Sequence, residues 1–202
     1  MITIINYGIG NMGSMLNMFK RINVPAKIES DPDKIFHGEK LILPGVGSFD
    51  AAIERINAID GLREVLDQKA LKEKTPILGV CLGMQLLTTC SEEGKLPGLN
   101  WIPGKTQLLP KNLDIKVPHM GWNVASISKS SPLTNNLVGE QRYYFVHSYY
   151  VKTNNEDHAI MKTDYGLPFD SAIANENIYG VQFHPEKSHK FGMKILTNFA
   201  KI

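Results

Sequence analysis

Short runs of β-branched and aliphatic residues alternate, in the first half of the chain, with stretches whose apolar positions recur every three or four residues. The short runs are typical of buried strands, and the longer stretches are typical of amphipathic helices. The pattern predicts strands at 2–6, 26–29, 40–43 and 76–80 and helices at about 12–22, 49–58 and 62–72. Because strands alternate with helices, we expect a parallel sheet with helices on both faces.

From about residue 100 the pattern changes to short strand-like runs, which are separated by turns rich in Pro, Asn and Gly. These runs predict strands at 105–109, 114–117, 123–127, 142–151, 158–163, 171–174 and 178–183, and a last helix at 188–200. Such runs are typical of antiparallel strands, which we expect to extend the parallel core into a mixed sheet. No linker or internal repeat interrupts the sequence, so we expect residues 1–202 to form a single α/β domain.

Composition narrows the classes of function. Apolar residues make up 43% of the 202 residues and charged residues 21%, which excludes a disordered or collagen-like chain. The 22 basic and 20 acidic residues nearly balance, so the charge does not favour nucleic acid or an anionic membrane as a partner. No apolar run approaches the roughly 18 residues that span a bilayer. A signal peptide begins with a basic segment, and here no basic residue precedes Lys20. We therefore expect a cytoplasmic protein.

The sequence Gly-Val-Cys-Leu-Gly at 79–83 joins a predicted strand to a predicted helix. Two glycines allow the sharp turn of a nucleophile elbow, which presents the middle residue, Cys81, above the edge of the sheet. The following helix N-terminus favours a thiolate, and the N–H of Leu82 would point at an oxyanion beside the sulfur. Gln85 lies one helical turn later on the same face and can contact the attacked group. The alternative is a small buried cysteine at a glycine-rich turn.

The second cysteine, Cys90, falls nine residues after Cys81 in what the pattern predicts to be the same helix. Nine helical steps separate the two residues by roughly 13 Å along the axis. A disulfide spans only about 7 Å between Cα atoms. We therefore expect two free thiols, as in a reducing compartment, and interpret Cys90 as a packing residue on the far face of the helix.

A base for the cysteine is predicted in the segment Gly-Val-Gln-Phe-His-Pro-Glu at 180–186. In an extended segment His184 and Glu186 project to the same side, so the carboxylate can orient the imidazole that takes the thiol proton. The alternative is an ordinary turn after a strand. His119 and His147 lack a neighbouring cluster with metal-ligand spacing, so we expect hydrogen-bonded structural histidines and no metal site.

Two glycine-rich loops follow predicted strands. Pro-Gly-Val-Gly-Ser-Phe at 44–49 lies on the side where open α/β sheets bind ligands, and its N–H groups are candidates for a second oxyanion donor. Gly-Ile-Gly-Asn-Met-Gly at 8–13 matches a dinucleotide-binding fingerprint only weakly, because the acidic residue expected about 20 positions later falls in a turn that contains Pro32.

The motifs at 79–85 and 183–186 resemble those of the class I, triad-type glutamine amidotransferases. Within that family, the motifs at 44–49, 117–123, 144–149 and 184–188 resemble the glutaminase subunits of imidazole glycerol phosphate synthases. The resemblance covers essentially the whole chain. It implies a flavodoxin-like three-layer α/β/α fold with a mixed sheet, and no cofactor.

The same resemblance implies hydrolysis of L-glutamine to glutamate and ammonia through a thioester on Cys81, with His184 as base and Glu186 as orienting acid. It implies oxyanion donors at Leu82, Val46 and Gly47. It implies glutamine-binding residues at Gly45, Gly47, Gln85, Ser148 and Tyr149. The partner would be a (β/α)8-barrel cyclase subunit that uses the ammonia to form imidazole glycerol phosphate and AICAR, and the implied contacts to it are Asn11, Met120, Trp122 and Lys187.

Segments 88–95 and 188–193 look more like paralogues found with surface-sugar biosynthesis, which suggests a sugar amidotransferase as the alternative ammonia acceptor. Two further alternatives are a cysteine peptidase or esterase on the same elbow, and a binding module without catalysis. Gln85 and the 44–49 loop argue against the first, and the intact Cys, His and Glu argue against the second.

Overall fold

The parallel strands predicted in the first half form one side of the main sheet. The structure, a computed structural model, describes residues 1–110 and 115–202. Its strands are β1 (Ile2–Ile5), β2 (Ala26–Glu29), β3 (Lys40–Leu43), β4 (Ile77–Val80), β5 (Cys90–Ser91), β6 (Gly104–Leu108), β7 (His119–Val124), β8 (Ser126–Ile127), β9 (Arg142–His147), β10 (Tyr149–Thr153), β11 (Ala159–Asp164), β12 (Pro168–Asn175) and β13 (Ile178–Val181). Strands β2, β1, β3, β4 and β13 lie side by side in that order, all parallel.

The remaining strands extend this parallel core with mainly antiparallel pairs. Beyond β13 the sheet continues through β12, β10, β6 and β5. Strand β11 pairs with β12, and β8 pairs with β11, which gives eleven strands within the described residues. Strands β7 and β9 pair with each other in a separate two-stranded sheet. The predicted α/β fold with a mixed sheet is therefore confirmed.

Helices cover both faces of the parallel core. They are α1 (Met12–Arg21), α2 (Pro32–Phe36), α3 (Phe49–Ala58), α4 (Leu62–Asp67), α5 (Leu82–Leu86) and α6 (His189–Lys201). One buried cluster joins α1 and α6 to the sheet through residues such as Phe19, Ile42 and Phe199. A second cluster joins α3 and α4 to alternate sheet residues such as Leu41 and Leu43. Because successive side chains of a strand point to opposite faces, the two clusters define three layers. None of the helices in the described part of the chain is long and apolar enough to cross a membrane.

The chain differs from the predicted elements after the elbow. Helix α5 ends at Leu86, and Cys90 lies in β5 paired with Lys105, so the single predicted helix through both cysteines is wrong. The carbonyl oxygens of Leu86 and Leu87, which a longer helix would use, instead accept from the N–H groups of Leu99 and Trp101 at 2.8 and 2.9 Å. Both thiols are nevertheless free, as expected.

Smaller differences concern three other predicted elements. The stretch predicted as one helix at 62–72 ends in a π-helical turn, Gln68–Lys72. The long strand predicted at 142–151 breaks at Ser148 into β9 and β10. Residue 114 of the strand predicted at 114–117 lies outside the described residues, and residues 115–117 do not form a strand.

Helix α5 begins in very close contact with strand β3. A Cβ atom added to Gly83 would overlap the carbonyl oxygen of Leu43, and one added to Gly79 would lie 2.7 Å from the carbonyl carbon of Gly83. A Cβ on Gly45 would lie 2.7 Å from the backbone nitrogen of Gly83. Three glycines therefore allow the turn after β4, the loop after β3 and helix α5 to pack at backbone distance.

This contact predicts a large stability loss for Gly83→Ala. The added methyl group has no space against the backbone of β3, so we expect the free energy of unfolding to fall by about 3 kcal/mol or more. Urea unfolding followed by circular dichroism measures the change.

The matched control is Gly13→Ala in helix α1, where an added Cβ meets no atom within 4 Å. That variant is expected to gain about 0.5–1 kcal/mol, because alanine loses less backbone entropy than glycine in a helix. Equal effects of the two substitutions would contradict the packing argument.

Candidate active site

Cys81 stands at the turn between β4 and α5 with φ of 55° and ψ of −110°, a backbone conformation that residues other than glycine rarely adopt. Its N–H donates to the carbonyl oxygen of Val181 at 2.8 Å, which ties the turn to β13. The residue is 7% exposed. The strained conformation is that of a nucleophile elbow, as the Gly-x-Cys-x-Gly spacing predicts.

His184 and Glu186 form a buried pair just after β13. The imidazole Nδ1 lies 2.8 Å from Oε1 of Glu186, and the two side chains are only 4% and 3% exposed. Because a carboxylate oxygen accepts, Nδ1 carries the proton, and Nε2 is free for a second partner. This Nε2 is buried and has no hydrogen-bond partner among the described residues. The expected orientation of the imidazole by Glu186 is therefore present in the geometry.

The charge of His184 depends on its two neighbours. Burial by itself lowers the pKa of His184, but the sulfur of Cys81 and the carboxylate of Glu186 favour the protonated ring and raise the pKa from 6.5 to about 10. The imidazole is therefore positively charged at neutral pH. A positive ring beside a sulfur is the arrangement that activates a thiol nucleophile.

The start of α5 and the loop after β3 lie at the same edge of the sheet, because they follow the neighbouring parallel strands β4 and β3. Leu82 is the first residue of α5, so its N–H has no partner within the helix. Gly47 has a φ of 94°, and Val46 is exposed. These are the three positions that the family resemblance implies as oxyanion donors.

Tyr7 holds the loop after β3 in place through a contact that the sequence does not predict. Its hydroxyl donates to the carbonyl oxygen of Pro44 at 2.6 Å in a buried position. Burial raises the pKa of Tyr7, and the charge of Cys81 raises it further, so the hydroxyl keeps its proton. Nothing in the local sequence around Tyr7 signals this contact, because its partner lies 37 residues away.

A cavity of about 280 Å³ opens next to the elbow, a size suited to a small molecule. It is lined by Gly47, Gln85, Glu93, Pro118, Val146, His147, Ser148 and Tyr149. Four of the five residues predicted to bind substrate line it, and the fifth, Gly45, packs behind them against α5. The carbonyl oxygen of Val146 lies 4.0 Å from the sulfur of Cys81, so the cavity wall reaches the thiol.

Two glutamines connect the cavity to the thiol. The amide nitrogen of Gln85 donates to the carbonyl oxygen of Tyr149 at 3.0 Å and to the side-chain oxygen of Gln182 at 3.1 Å. The amide nitrogen of Gln182 lies 3.7 Å from the sulfur of Cys81. Gln182 is fully buried and was not predicted to belong to the site, although it lies in the same segment as His184.

Glu93 contributes a carboxylate to the cavity and was also missed. One of its oxygens accepts from the N–H of Phe49 at 2.9 Å. Burial raises the pKa of Glu93, and the charge of Asp50 raises it further, while the N–H of Phe49 opposes both. The sequence predicts a helix that continues through Cys90, so it does not indicate that Glu93 folds back over the cavity.

The four residues expected at a partner interface are all exposed, and three of them lie on or beside β7 and β9. Met120 is 62% exposed and Trp122 is 41% exposed. Trp122 pairs in register with Tyr144, and the ammonium of Lys187 lies 5.7 Å from the Tyr144 ring. Asn11 caps helix α1, which contacts the turn Pro185–Lys187. We call Met120, Trp122 and Lys187 the β7 patch.

Among residues 1–110 and 115–202 no group of three or more His, Cys, Asp or Glu side chains is arranged to hold a metal ion. His119 and His147 are instead hydrogen-bonded to each other, as expected for structural histidines.

A cysteine elbow at the carboxyl edge of a doubly wound sheet defines a class of α/β enzymes that use a thiol nucleophile. A family model described as "Glutamine amidotransferase class-I" matches residues 4–202, and the chain belongs to this family. It is an enzyme of the glutamine amidotransferase type.

Relatives align over the full length. The chain is 51% identical to the imidazole glycerol phosphate synthase subunit HisH 2 of Methanococcus maripaludis, over all of this chain and 99% of that protein. It is 45% identical to the HisH subunit of Bdellovibrio bacteriovorus, over the whole of both chains. It is also 45% identical to the HisH 2 subunit of Pseudomonas aeruginosa, again over both whole chains.

Solved structures share the fold at low sequence identity. A structure of PurLQS from Thermotoga maritima is 16% identical with a TM-score of 0.78, and the match covers 99% of this chain and 97% of that one. A crystal structure of a glutamine amidotransferase is 14% identical with a TM-score of 0.77, covering 100% of this chain and 99% of that one. Both matches support the α/β architecture.

The electrostatic coupling of the site predicts a shift in the titration of His184. In Cys81→Ala the sulfur no longer favours the protonated ring, so the pKa of His184 is expected to fall from about 10 towards the ordinary 6.5. Titration of the imidazole resonances by NMR measures this change. Cys90→Ala serves as the control, because Cys90 lies in β5, the last strand in the order of the sheet, five strands away from β4. An unchanged pKa in Cys81→Ala would refute the coupling.

Proposed function

We propose that this chain is the glutaminase subunit of an imidazole glycerol phosphate synthase. It hydrolyses L-glutamine to glutamate and ammonia, and it delivers the ammonia to a (β/α)8-barrel cyclase subunit that forms imidazole glycerol phosphate and AICAR in histidine biosynthesis. The observation that carries the chemistry is the strained Cys81 beside the buried pair His184 and Glu186. Full-length relatives that carry this subunit's name support the pathway.

The proposed reaction runs in two halves. The sulfur of Cys81 attacks the side-chain amide carbon of glutamine, and the N–H groups of Leu82, Val46 and Gly47 stabilise the oxyanion that forms. His184 donates its Nε2 proton to the amide nitrogen, and the C–N bond breaks. Ammonia departs, and a γ-glutamyl thioester remains on Cys81. His184 then takes a proton from water, which attacks the thioester, and glutamate leaves as the thiol is restored. Glu186 holds the ring in one tautomer throughout.

The cavity suits the other end of glutamine. The α-ammonium of the substrate needs acceptors, and the carboxylate of Glu93 and the amide oxygen of Gln85 are both available in the lining. The α-carboxylate needs donors, and the hydroxyl of Ser148 is available in the same lining. A charged, zwitterionic substrate explains why this lining is polar.

The chemistry of ammonia explains why this subunit needs a partner. Ammonia released into water at neutral pH is protonated and loses its nucleophilicity, so it must pass to the acceptor within a closed interface. The β7 patch presents exposed apolar side chains beside β9, whose Val146 carbonyl borders the thiol. A partner seated on this patch would cover the thiol side of the site.

The alternative acceptor of the ammonia is a sugar amidotransferase in surface-polysaccharide biosynthesis. The segments 88–95 and 188–193 favour it. The chemistry at Cys81 would be the same, and only the subunit on the β7 patch would differ.

The glutaminase chemistry predicts that Cys81→Ser abolishes hydrolysis. In the complex with the acceptor subunit, we expect kcat for glutamine to fall on the order of 10⁴-fold or more, as when other covalent nucleophiles are removed. Glutamate release measures the rate. Cys90→Ser should keep full activity, because Cys90 lies outside the site. Unchanged hydrolysis in Cys81→Ser, or faster turnover of a peptide or acyl ester than of glutamine, would refute the proposal.

The partner assignment predicts where the amide nitrogen of glutamine goes. With glutamine labelled by ¹⁵N at the side-chain amide, we expect the cyclase subunit to raise glutaminase turnover and to incorporate the label into imidazole glycerol phosphate. A sugar amidotransferase tested in parallel should do neither. The reverse result would assign the chain to the sugar pathway.

Two surface substitutions test where the cyclase binds in the same experiment. Met120→Glu places a charge in the β7 patch and is expected to remove the stimulation by the cyclase. Leu71→Glu is the control, because Leu71 is also exposed, at 47%, but precedes β4 and therefore lies at the opposite end of the sheet. Equal stimulation of both variants would show that the partner binds elsewhere.

A further inference from the structure

A buried chain of hydrogen bonds runs from strand β7 to the substrate cavity. The amide nitrogen of Asn123 lies 3.3 Å from Nε2 of His119, and Nδ1 of His119 lies 3.0 Å from Nε2 of His147. Nδ1 of His147 lies 2.8 Å from the carbonyl oxygen of Tyr149. That carbonyl is the same one that accepts from Gln85. The chain therefore ends on a residue that lines the cavity.

The position of every proton in this chain follows from its two ends. A carbonyl oxygen only accepts, so Nδ1 of His147 must carry a proton towards Tyr149. If His147 is neutral, its Nε2 is an acceptor, and Nδ1 of His119 must be the donor to it. Nε2 of His119 is then an acceptor for Asn123. The amide of Asn123 fits this direction, because its nitrogen also donates to the carbonyl oxygen of Asp164 at 2.9 Å.

Both rings are neutral, as this direction requires. Burial lowers the pKa of His119 from 6.5 to about 4. Burial, together with the neighbouring His119, lowers the pKa of His147 to about 3, against the opposing effect of the Tyr149 carbonyl. Aromatic packing also holds His119 in place, since its ring stacks on Phe145 and on Tyr165, with centroids 4.7 Å and 3.9 Å away.

The far end of the chain fixes the direction of the Gln85 side chain. Its amide nitrogen is committed to two acceptors, the carbonyl of Tyr149 and the side-chain oxygen of Gln182. Among the described residues no donor reaches its amide oxygen. Gln85 therefore offers the cavity a hydrogen-bond acceptor rather than a donor, provided that the Tyr149 carbonyl stays where His147 holds it.

We propose that His119 and His147 are positioning residues, which hold the Tyr149 carbonyl and so keep the amide oxygen of Gln85 as an acceptor for the α-ammonium of the substrate. The inference rests on the proposed glutaminase function for the identity of that ammonium. Neither histidine touches the reacting atoms in this scheme, and their effect is on recognition of the substrate.

Two substitutions of the same residue separate positioning from packing. In His147→Asn the amide nitrogen sits near the former Nδ1 and can still donate to the Tyr149 carbonyl. In His147→Gln the longer side chain reaches towards His119 instead, and the carbonyl loses its donor. Phe169→Leu removes an aromatic ring that packs 5.2 Å from His147 and is the control for packing alone.

The readout is the preference for glutamine over glutaramate, the analogue that lacks the α-amino group. We expect His147→Gln to raise KM for glutamine about tenfold with kcat nearly unchanged, because a ground-state contact is lost. KM for glutaramate should stay constant, so the preference for glutamine falls about tenfold. His147→Asn and Phe169→Leu should keep the wild-type preference. An equal loss for both substrates, or no difference between the Asn and Gln variants, would overturn the proposal.

A measurement without substrate tests the same chain if the kinetic variants fail to fold. In ¹⁵N spectra of the wild-type protein, protonated and unprotonated imidazole nitrogens give separate signals. We expect His119 and His147 both to carry their proton on Nδ1 at neutral pH. A proton on Nε2 of either ring would overturn the proposal. This result does not depend on turnover, whereas absence of glutamine hydrolysis by the wild-type complex would refute the proposed function alone.

Discussion

The contact between Gly83 and the carbonyl oxygen of Leu43 decides where helix α5 begins, and the rest of the site is arranged around that point. Because the helix starts directly against β3, the turn that leads into it has only one residue in which to reverse, and Cys81 takes the positive φ. The loop after β3 must then pass α5 at backbone distance, which Gly45 permits. One steric constraint therefore places the thiol and both groups of candidate oxyanion donors at the carboxyl ends of the parallel strands.

Strand pairing brings the other half of the chemistry to the same edge. Strand β13 lies parallel to β4 with Val181 opposite Val80, so the residues that follow both strands leave the sheet together. His184 is held there by its N–H bond to the Tyr144 carbonyl at 2.9 Å and by Glu186. Burial strengthens the attraction between the charges and the ring, which is why the pKa of His184 rises despite the desolvation that opposes it.

Local patterns in the sequence were sufficient for the elements that depend on neighbouring residues. The parallel strands, the elbow at Cys81 and the paired His184 and Glu186 all follow from periodicity or from spacings of a few residues. The contacts that were missed join distant segments: Tyr7 binds a carbonyl 37 residues away, and Glu93 reaches the cavity only because α5 stops early. Such contacts depend on how elements pack, which no local pattern records.

Strand β9 is common to the site and to the surface. Its Val146 carbonyl borders the sulfur of Cys81, while the residue opposite Val146 in β7 is the exposed Met120. One residue further along, His147 pairs with His119 and reaches the Tyr149 carbonyl. Movement of β7 relative to β9 would therefore disturb the His119–His147 contact that supports the Tyr149 carbonyl. The surface proposed for a partner and the cavity proposed for glutamine share this two-stranded sheet, because Met120 lies on β7 and the cavity-lining Val146 lies opposite it on β9.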